Sequence, residues 1–431
     1  MKQLALNAFH KTLAGIDIPA AIERHLDRNG TAIRAGDATL DLGGFERIVG
    51  IAYGKASLAM ARGLAGVLGP EFPIEGILVT PTAGPAVPGW QAFVGRHPIP
   101  DAGSFAAGRA ILERLGRCNE KTLVMFLISG GGSAMVEQPL DSSVGQADFE
   151  ALHGALVTCG APIEQINVVR KHLSATKGGR LAAAAAKSMK VTLAISDVPL
   201  GEESALASGP TLPDPSTIED AERIAGECGL LARLPASLRA IFAERRLRET
   251  PKEGDAAFAR SHFVRLLSVH DLFHAAHHAC EAEGFVCVCD DATDGWPLEK
   301  AADHLLAELA ALKAANPRHR VAVLADGEVS SPVTGNGVGG RNSAFVLACV
   351  PKIAGREIAV LSAGTDGIDG NSPAAGAVAD GETLARARGA GMAVEEFARR
   401  SDAYHFFERL GDAIVTGPTG NNLRDLRILM A

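Results

Sequence analysis

One stretch constrains this chain more than any other: Leu123-Val124-Met125-Phe126-Leu127-Ile128-Ser129-Gly130-Gly131-Gly132-Ser133-Ala134-Met135. Six consecutive apolar residues, Leu123 to Ile128, read as a strand covered on both faces, the pattern of a parallel sheet packed between helices. Ser129 and three glycines follow with almost no side-chain bulk. Ser133-Ala134-Met135 then opens a helix, with Ser133 as its expected cap. Strand, glycine loop and helix start together present bare N–H groups to an anion. Glycine lets the backbone approach closely, and the helix dipole adds partial positive charge. The competing reading is a tight turn with no ligand. Three successive glycines between serines argue against it, because each adds to the entropy cost of folding. The stretch is therefore a candidate site for a phosphate or a carboxylate.

The rest of the chain supports an α/β enzyme. At 431 residues it has room for ~2–3 domains. With 47% hydrophobic and 21% charged residues it can bury sizeable cores and remain soluble. A net charge of -8, with no basic tail, argues against nucleic acid as a partner. No apolar run approaches a membrane span, and Met1 to Ile18 reads as an amphipathic helix rather than a signal peptide. Seven cysteines without framework spacing fit a reducing cytoplasm. Cys287 and Cys289 lie within an alternating strand pattern and read as buried thiols rather than metal ligands. A homo-oligomer is compatible with the sequence.

Arg47 to Gly54 reads as a strand and its exit, followed by a helix from Lys55. The join Gly50-x-x-x-Gly54-Lys55-Ala56 is one residue short of a Walker A loop and has Ala56 where Ser or Thr belongs, so it is not a P-loop. Lys55 still stands at a helix N-terminus, where the dipole disfavours a cation. That is either an exposed lysine or one aimed, with the helix end, at an anion. In Ile163 to Arg180, Ile166, Val169 and Leu173 form a buried stripe, with Arg170, Ser174 and Lys177 on a neighbouring polar stripe. A strand from Val191 to Ile195 ends in Ser196-Asp197, and a carboxylate there lies where open parallel sheets place ligands. Leu230 to Asp255 reads as helix and then charged linker, dividing an N-terminal α/β domain, 1–250, from a second, 256–431.

In the second half, Gly335-x-Gly337-x-x-Gly340 matches a dinucleotide fingerprint by letter, but Pro332 makes the preceding segment a poor strand, so no nicotinamide site is read. Arg341 repeats the oddity of Lys55, and two such cations beside glycine loops favour a polyanion. After the strand from Ile358 to Leu361, Asp366 and Asp369 stand on a glycine loop and suit Mg²⁺, which takes oxygen ligands and keeps several waters. The alternative is an Asx turn. The small-residue tail, Val415 to Leu426, has the composition of a docked end.

Several segments in order look like one family: Gly54-Lys55-Ala56, Leu127 to Ala134, Val169-Arg170-Lys171-His172-Leu173-Ser174 through Leu181, Ser196-Asp197-Val198-Pro199, Ala207-Ser208-Gly209-Pro210-Thr211, Gly339-Gly340-Arg341-Asn342, Gly364-Thr365-Asp366-Gly367-Ile368-Asp369-Gly370 and Thr416 to Gly420. The chain resembles the class II glycerate kinases (glycerate 2-kinases), whose C-terminal part is the MOFRL domain. The resemblance implies two Rossmann-like α/β domains with a cleft between them. It implies ATP- and Mg²⁺-dependent phosphorylation of D-glycerate, or a closely related small hydroxy acid, at the 2-hydroxyl. On that resemblance Lys55, Arg341 and Asp197 are the catalytic candidates. With the reading of the residues themselves added, Ser129, Gly130, Gly131, Gly132, Ser133 and Lys177 are the nucleotide-binding candidates, and Asp366 and Asp369, the two carboxylates of the glycine loop, the metal ligands. The sequence departs from the family pattern at Leu200-Gly201-Glu202-Glu203, Ala325-Asp326-Gly327-Glu328, Asn371-Ser372-Pro373 and Asn421. Two rival readings are a nicotinamide-dependent hydroxypyruvate reductase, a label some members carry, and a non-catalytic sugar-acid sensor.

Overall fold

A computed structural model describes residues 1–196, 198 and 201–431. Asp197 lies outside the described residues. The chain forms two compact units, Ile18–Leu267 and, separately, Met1–Asp17 together with Ser268–Ala431. This partition differs from a division at 250/256 at both ends. The helix Lys2–Gly15 packs on the helix Val269–Glu281 and the strand Ala359–Gly364, so it belongs with the C-terminal half. Its Ala5, Ala8 and Phe9 are fully buried there, and Lys2 ion-pairs with Asp412 at 2.9 Å. The boundary falls after the strand Ser261–Leu267, because that strand completes the first sheet.

In Ile18–Leu267 six strands form an all-parallel sheet. The spatial order is Trp90–Val94, Ile74–Thr80, Arg47–Tyr53, Thr122–Ser129, Met189–Ile195 and Ser261–Leu267. Numbered along the chain this is 3-2-1-4-5-6, the doubly wound order that reverses direction between its first and fourth strands. The Thr122–Ser129 strand sits beside that reversal and is buried along its whole length, as its unbroken apolar run requires. Val49, Ile51, Phe126 and Ile128 pack with Ile111 and Leu115 on one face. A second core is purely helical. There Leu152, Leu156, Ile166, Val169, Ile224 and Leu238 join Gln146–Val157, Ile163–Leu173, Ile218–Glu227 and Ala236–Ala243. A three-stranded antiparallel meander, Leu26–Asn29, Ala32–Ala35 and Ala38–Asp41, is not apparent in the sequence pattern.

The other unit holds a mixed six-stranded sheet. Its order is Phe285–Asp290, Arg320–Asp326, Asp425–Met430, Ala359–Gly364, Gly376–Asp380 and Ala413–Ile414. Phe285–Asp290 and Arg320–Asp326 are parallel, and the C-terminal strand Asp425–Met430 runs antiparallel to both of its neighbours. That last strand is buried throughout, so the tail is a central structural element. Helices Leu298–Ala315 and Arg341–Ile353 cover the sheet through Leu305, Leu309, Phe345, Val346 and Val350. Cys287 is half-buried and Cys289 exposed, since their strand lies at the sheet edge. Among the described residues no helix is long and apolar enough to cross a membrane.

Candidate active site

The reversal of the parallel sheet falls between Arg47–Tyr53 and Thr122–Ser129, and open α/β sheets bind ligands outside the C-terminal ends of the strands at such a point. Both strand exits there carry the residues singled out in the sequence. Gly54 has φ +115°, and a Cβ on it would lie 2.3 Å from Ser129 Oγ. The Lys55 amide donates to the Gly130 carbonyl (3.0 Å), and the Ala56 amide to Ser129 Oγ (3.0 Å). Ser129 is thus a fully buried strap between the two exits, not an anion ligand. Gly131 has φ +79°, and the Lys55 stem lies over it, with Cγ 3.3 Å from where a Cβ would stand. A Cβ on Gly132 would meet the Tyr53 ring at 2.8 Å. The glycines therefore let two neighbouring side chains lie directly on the loop.

Ser133 does not cap a helix. The helix Gly132–Met135 has only 4 residues and starts from Gly131 in the left-handed conformation, without a side-chain cap. So short a helix contributes little macrodipole. Ser133 Oγ instead meets Ser208 Oγ at 2.7 Å. Lys55 is half-buried and precedes the helix Ser57–Leu68, as expected from its spacing.

Lys177 belongs elsewhere. It is 1% exposed, and its Nζ lies 2.8 Å from Glu137 Oε2 and donates to the Val136 carbonyl at 3.2 Å. Glu137, which the sequence pattern does not mark, also accepts from His153 Nε2 (3.0 Å), Ser174 Oγ and the Gln138 amide (2.9 Å). Burial alone would raise the Glu137 pKa, but the charge of Lys177 and the hydrogen bond from His153 outweigh it and lower it to about 2. Burial in turn pushes His153 down, so it stays neutral. A lysine sealed in this network holds the loop after the glycines in place and is not open to a nucleotide.

In the other unit, Arg341 opens the helix Arg341–Ile353, with its guanidinium ion-paired to Asp425 and to Glu328 (2.6 Å). Asp369 is corrected from metal ligand to helix cap. It is 1% exposed and accepts from the amides of Gly340 (3.1 Å), Asn342 (2.9 Å) and Ser343 (2.9 Å) and from Ser343 Oγ (2.6 Å). Those donors are the orphan N–H groups of the helix start, where the dipole favours a carboxylate. Asp366 remains half-exposed and accepts from the Ile368 amide at 3.0 Å.

The oxygen-rich spot lies at Gly364. A Cβ there would stand 2.9 Å from Asp366 Oδ1, 3.0 Å from the Ile368 carbonyl and 3.4 Å from Asp425 Oδ1. The absent side chain leaves a cradle of hard oxygen donors, which suits Mg²⁺ held by one or two carboxylates with phosphate oxygens and water completing its shell. Among the described residues no three His, Cys, Asp or Glu side chains converge as a dedicated metal cage. The tail docks on this loop: Thr365 donates its amide to the Arg424 carbonyl (3.0 Å), and the Thr419 amide donates to the Asp366 carbonyl (3.1 Å).

Asp326 is buried beside Arg424 and Arg427, and burial pushes its pKa to about 6. The Gly335–Gly340 loop does not follow a strand directly. A Cβ on Gly335 would lie 2.5 Å from the Arg400 carbonyl, so that glycine serves chain packing. Asp425 is the residue that sequence reasoning missed here. It lay in the tail, and only the central placement of Asp425–Met430 brings it to Asp366 and Arg341.

Residues 4–243 match the family described as "Domain of unknown function (DUF4147)", and residues 321–425 match the MOFRL family. The D-glycerate 2-kinase of Thermotoga maritima is 34% identical over 402 residues, 92% of this chain and 93% of that protein. The chain belongs to the class II glycerate kinase family. A glycerate kinase crystal structure from Thermotoga maritima superposes with TM-score 0.82 at 29% identity, covering 100% of this chain and 99% of that one. A relative from Agrobacterium vitis that carries a provisional hydroxypyruvate reductase name is 36% identical over 392 residues, 89% of this chain and 87% of its own. Within the glycerate kinase family the two-unit α/β architecture read from the sequence is therefore the expected one.

Proposed function

We propose that this chain transfers the γ-phosphoryl group of ATP to the 2-hydroxyl of D-glycerate, giving 2-phosphoglycerate. The observation that carries the reading is the placement of Lys55 beside the serine-glycine loop at the sheet's reversal, in a chain whose relatives are named glycerate 2-kinases. Phosphoryl transfer asks the protein for positioning and charge neutralisation more than for covalent chemistry. Lys55 supplies a positive charge beside the loop. Arg341, its orientation fixed by Asp425 and Glu328, supplies a planar fork for phosphoryl oxygens. Asp366 and Asp425 would hold Mg²⁺, which neutralises charge on the phosphates. Asp197 then takes the proton leaving the acceptor hydroxyl. The packing role of Gly335 speaks against the reductase reading, and the free thiols support a cytoplasmic location.

The test is ADP release from ATP and Mg²⁺ with D-glycerate added or withheld, with NADH oxidation by hydroxypyruvate followed in parallel. Glycerate-dependent ADP release without NADH loss, and 2-phosphoglycerate as the product, support the kinase. NADH consumption without an ATP requirement establishes the reductase instead.

A further inference from the structure

The helix Ile163–Leu173 supplies nothing to the mechanism above, yet it carries a buried guanidinium for which no described residue provides an ion-pairing carboxylate. Arg170 is 6% exposed, and its Nε is sealed from solvent with no acceptor. Among the described residues no carboxylate forms an ion pair with it. The carboxylate that acts on it electrostatically, Glu137, is already neutralised by Lys177 at 2.8 Å, and His153 beside it is neutral. The flanking basic side chains have partners of their own: Lys171 with Asp214 at 3.0 Å and His172 with Glu249 at 3.1 Å. The charge on Arg170 is therefore surplus, and a buried, unpaired guanidinium is strongly unfavourable unless something else neutralises it.

Polar groups converge on the same turn. Asn167 stands three residues before Arg170, on the same helix face. Its Oδ1 accepts from Ser208 Oγ at 3.0 Å. Ser208 has one proton and spends it there, so in the 2.7 Å contact Ser133 is the donor. The Asn167 amide N–H groups then remain without an acceptor among the described residues. Ala207 and Ser208 are non-glycine residues held at φ 48° and 62°, a costly backbone conformation that tends to persist where it positions a functional group. Ser133 lies two residues beyond Gly131, the glycine covered by the Lys55 stem.

We infer that Arg170 and the Asn167 amide, set against the Ser133–Ser208 hydroxyl pair, form a carboxylate-binding subsite, and, resting on the kinase reading, that it takes the carboxylate of the hydroxy acid acceptor. A guanidinium fork matches a carboxylate with two parallel hydrogen bonds. Such a subsite selects acids over neutral polyols and orients the acceptor through the carboxylate adjacent to its reacting 2-hydroxyl.

The experiment compares the full-length protein with Arg170→Gln, Arg170→Lys and Asn167→Ala. Steady-state kinetics are measured against D-glycerate and ATP, and thermal shifts against D-glycerate, glycerol and ATP. Arg170→Gln is expected to raise the KM for glycerate about 10- to 100-fold while the KM for ATP stays within about twofold. The glycerate-induced thermal shift disappears and the ATP-induced shift remains. Should Arg170→Gln not fold, Arg170→Lys, which keeps the charge and loses the fork, and Asn167→Ala are each expected to raise the glycerate KM alone. Unchanged glycerate KM in the folded variants, or a rise confined to ATP, overturns the subsite while leaving the kinase reading standing. If the wild type shows no glycerate-dependent ADP release, the kinase reading fails, and thermal shifts with glycolate and lactate against their amides still decide the subsite. A shift specific to the acids and lost in Arg170→Gln supports it, and no acid-specific shift in the wild type overturns it.

Discussion

Replacing Lys177 by methionine separates a structural lysine from a nucleotide-binding one. The side chain keeps its length and loses its charge, so packing is largely retained while Glu137 loses its only ion-pairing lysine among the described residues. The pKa of Glu137, lowered to about 2, lies about two units below the ordinary glutamate value, and that displacement corresponds to about 3 kcal/mol of stability at neutral pH. Removing one member of a buried pair costs about 3–5 kcal/mol in general, which agrees. For a unit of this size each kcal/mol moves Tm by about 2–4 °C, so Lys177→Met should melt roughly 10 °C lower. The sign follows from linkage. Depression of the Glu137 pKa stabilises the wild type above about pH 4.3 and is lost as pH falls through about 2. The variant should therefore show less acid dependence in that window. The assays are calorimetric or fluorescence-detected melting between pH 2 and 8, and the KM for ATP at a temperature where both proteins are folded. An unchanged Tm together with a KM for ATP raised tenfold would refute the structural reading.

Three further outcomes are expected. Lys55→Ala should lower kcat by about 100-fold or more with a Tm change below about 2 °C, measured by the ADP-release assay and melting; near-normal turnover contradicts its role. Asp369→Ala should lose about 2–3 kcal/mol in urea denaturation because four donors at the helix start lose their acceptor, whereas Asp366→Asn should shift the Mg²⁺ dependence of activity to higher concentration with little loss of stability. The reverse pattern would restore Asp369 as the metal ligand. Asp326, with its pKa raised to about 6, favours folding only while protonated. That contribution is present below the ordinary aspartate value of about 4 and is lost as pH rises through about 6. Asp326→Asn should accordingly be more stable than wild type by up to ~3 kcal/mol at pH 8 and equal to it near pH 4, and a difference independent of pH would contradict this.

The strand Thr122–Ser129 was legible because six apolar residues followed by glycines leave few alternatives, and Arg47–Tyr53 and Met189–Ile195 fell close to their expected places for the same reason, whereas Trp90–Val94 and the antiparallel meander did not announce themselves. Glu137 was not legible. Val136-Glu137-Gln138-Pro139 carries no periodic signal, and the residue acquires its role from His153, Ser174 and Lys177, which arrive from other segments. The burial of Lys177, expected at a nucleotide, was not legible for the same reason, since its partner Glu137 arrives from another segment.

By itself the sequence determined local conformation: where strands and helices form, where glycines permit close approach, and which charged residues stand at helix starts. Those properties depend on side-chain shape, backbone freedom and periodicity within a few residues. The tertiary structure alone decided the strand order that places Lys55 and the serine-glycine loop at the sheet's reversal. It alone placed the C-terminal strand between two others, so that Asp425 stands near Asp366 and ion-pairs with Arg341. It also decided which buried charges are paired, leaving Arg170 without a carboxylate among the described residues. Charge pairing between residues as far apart in the chain as Arg341 and Asp425 depends on distances that no local pattern encodes.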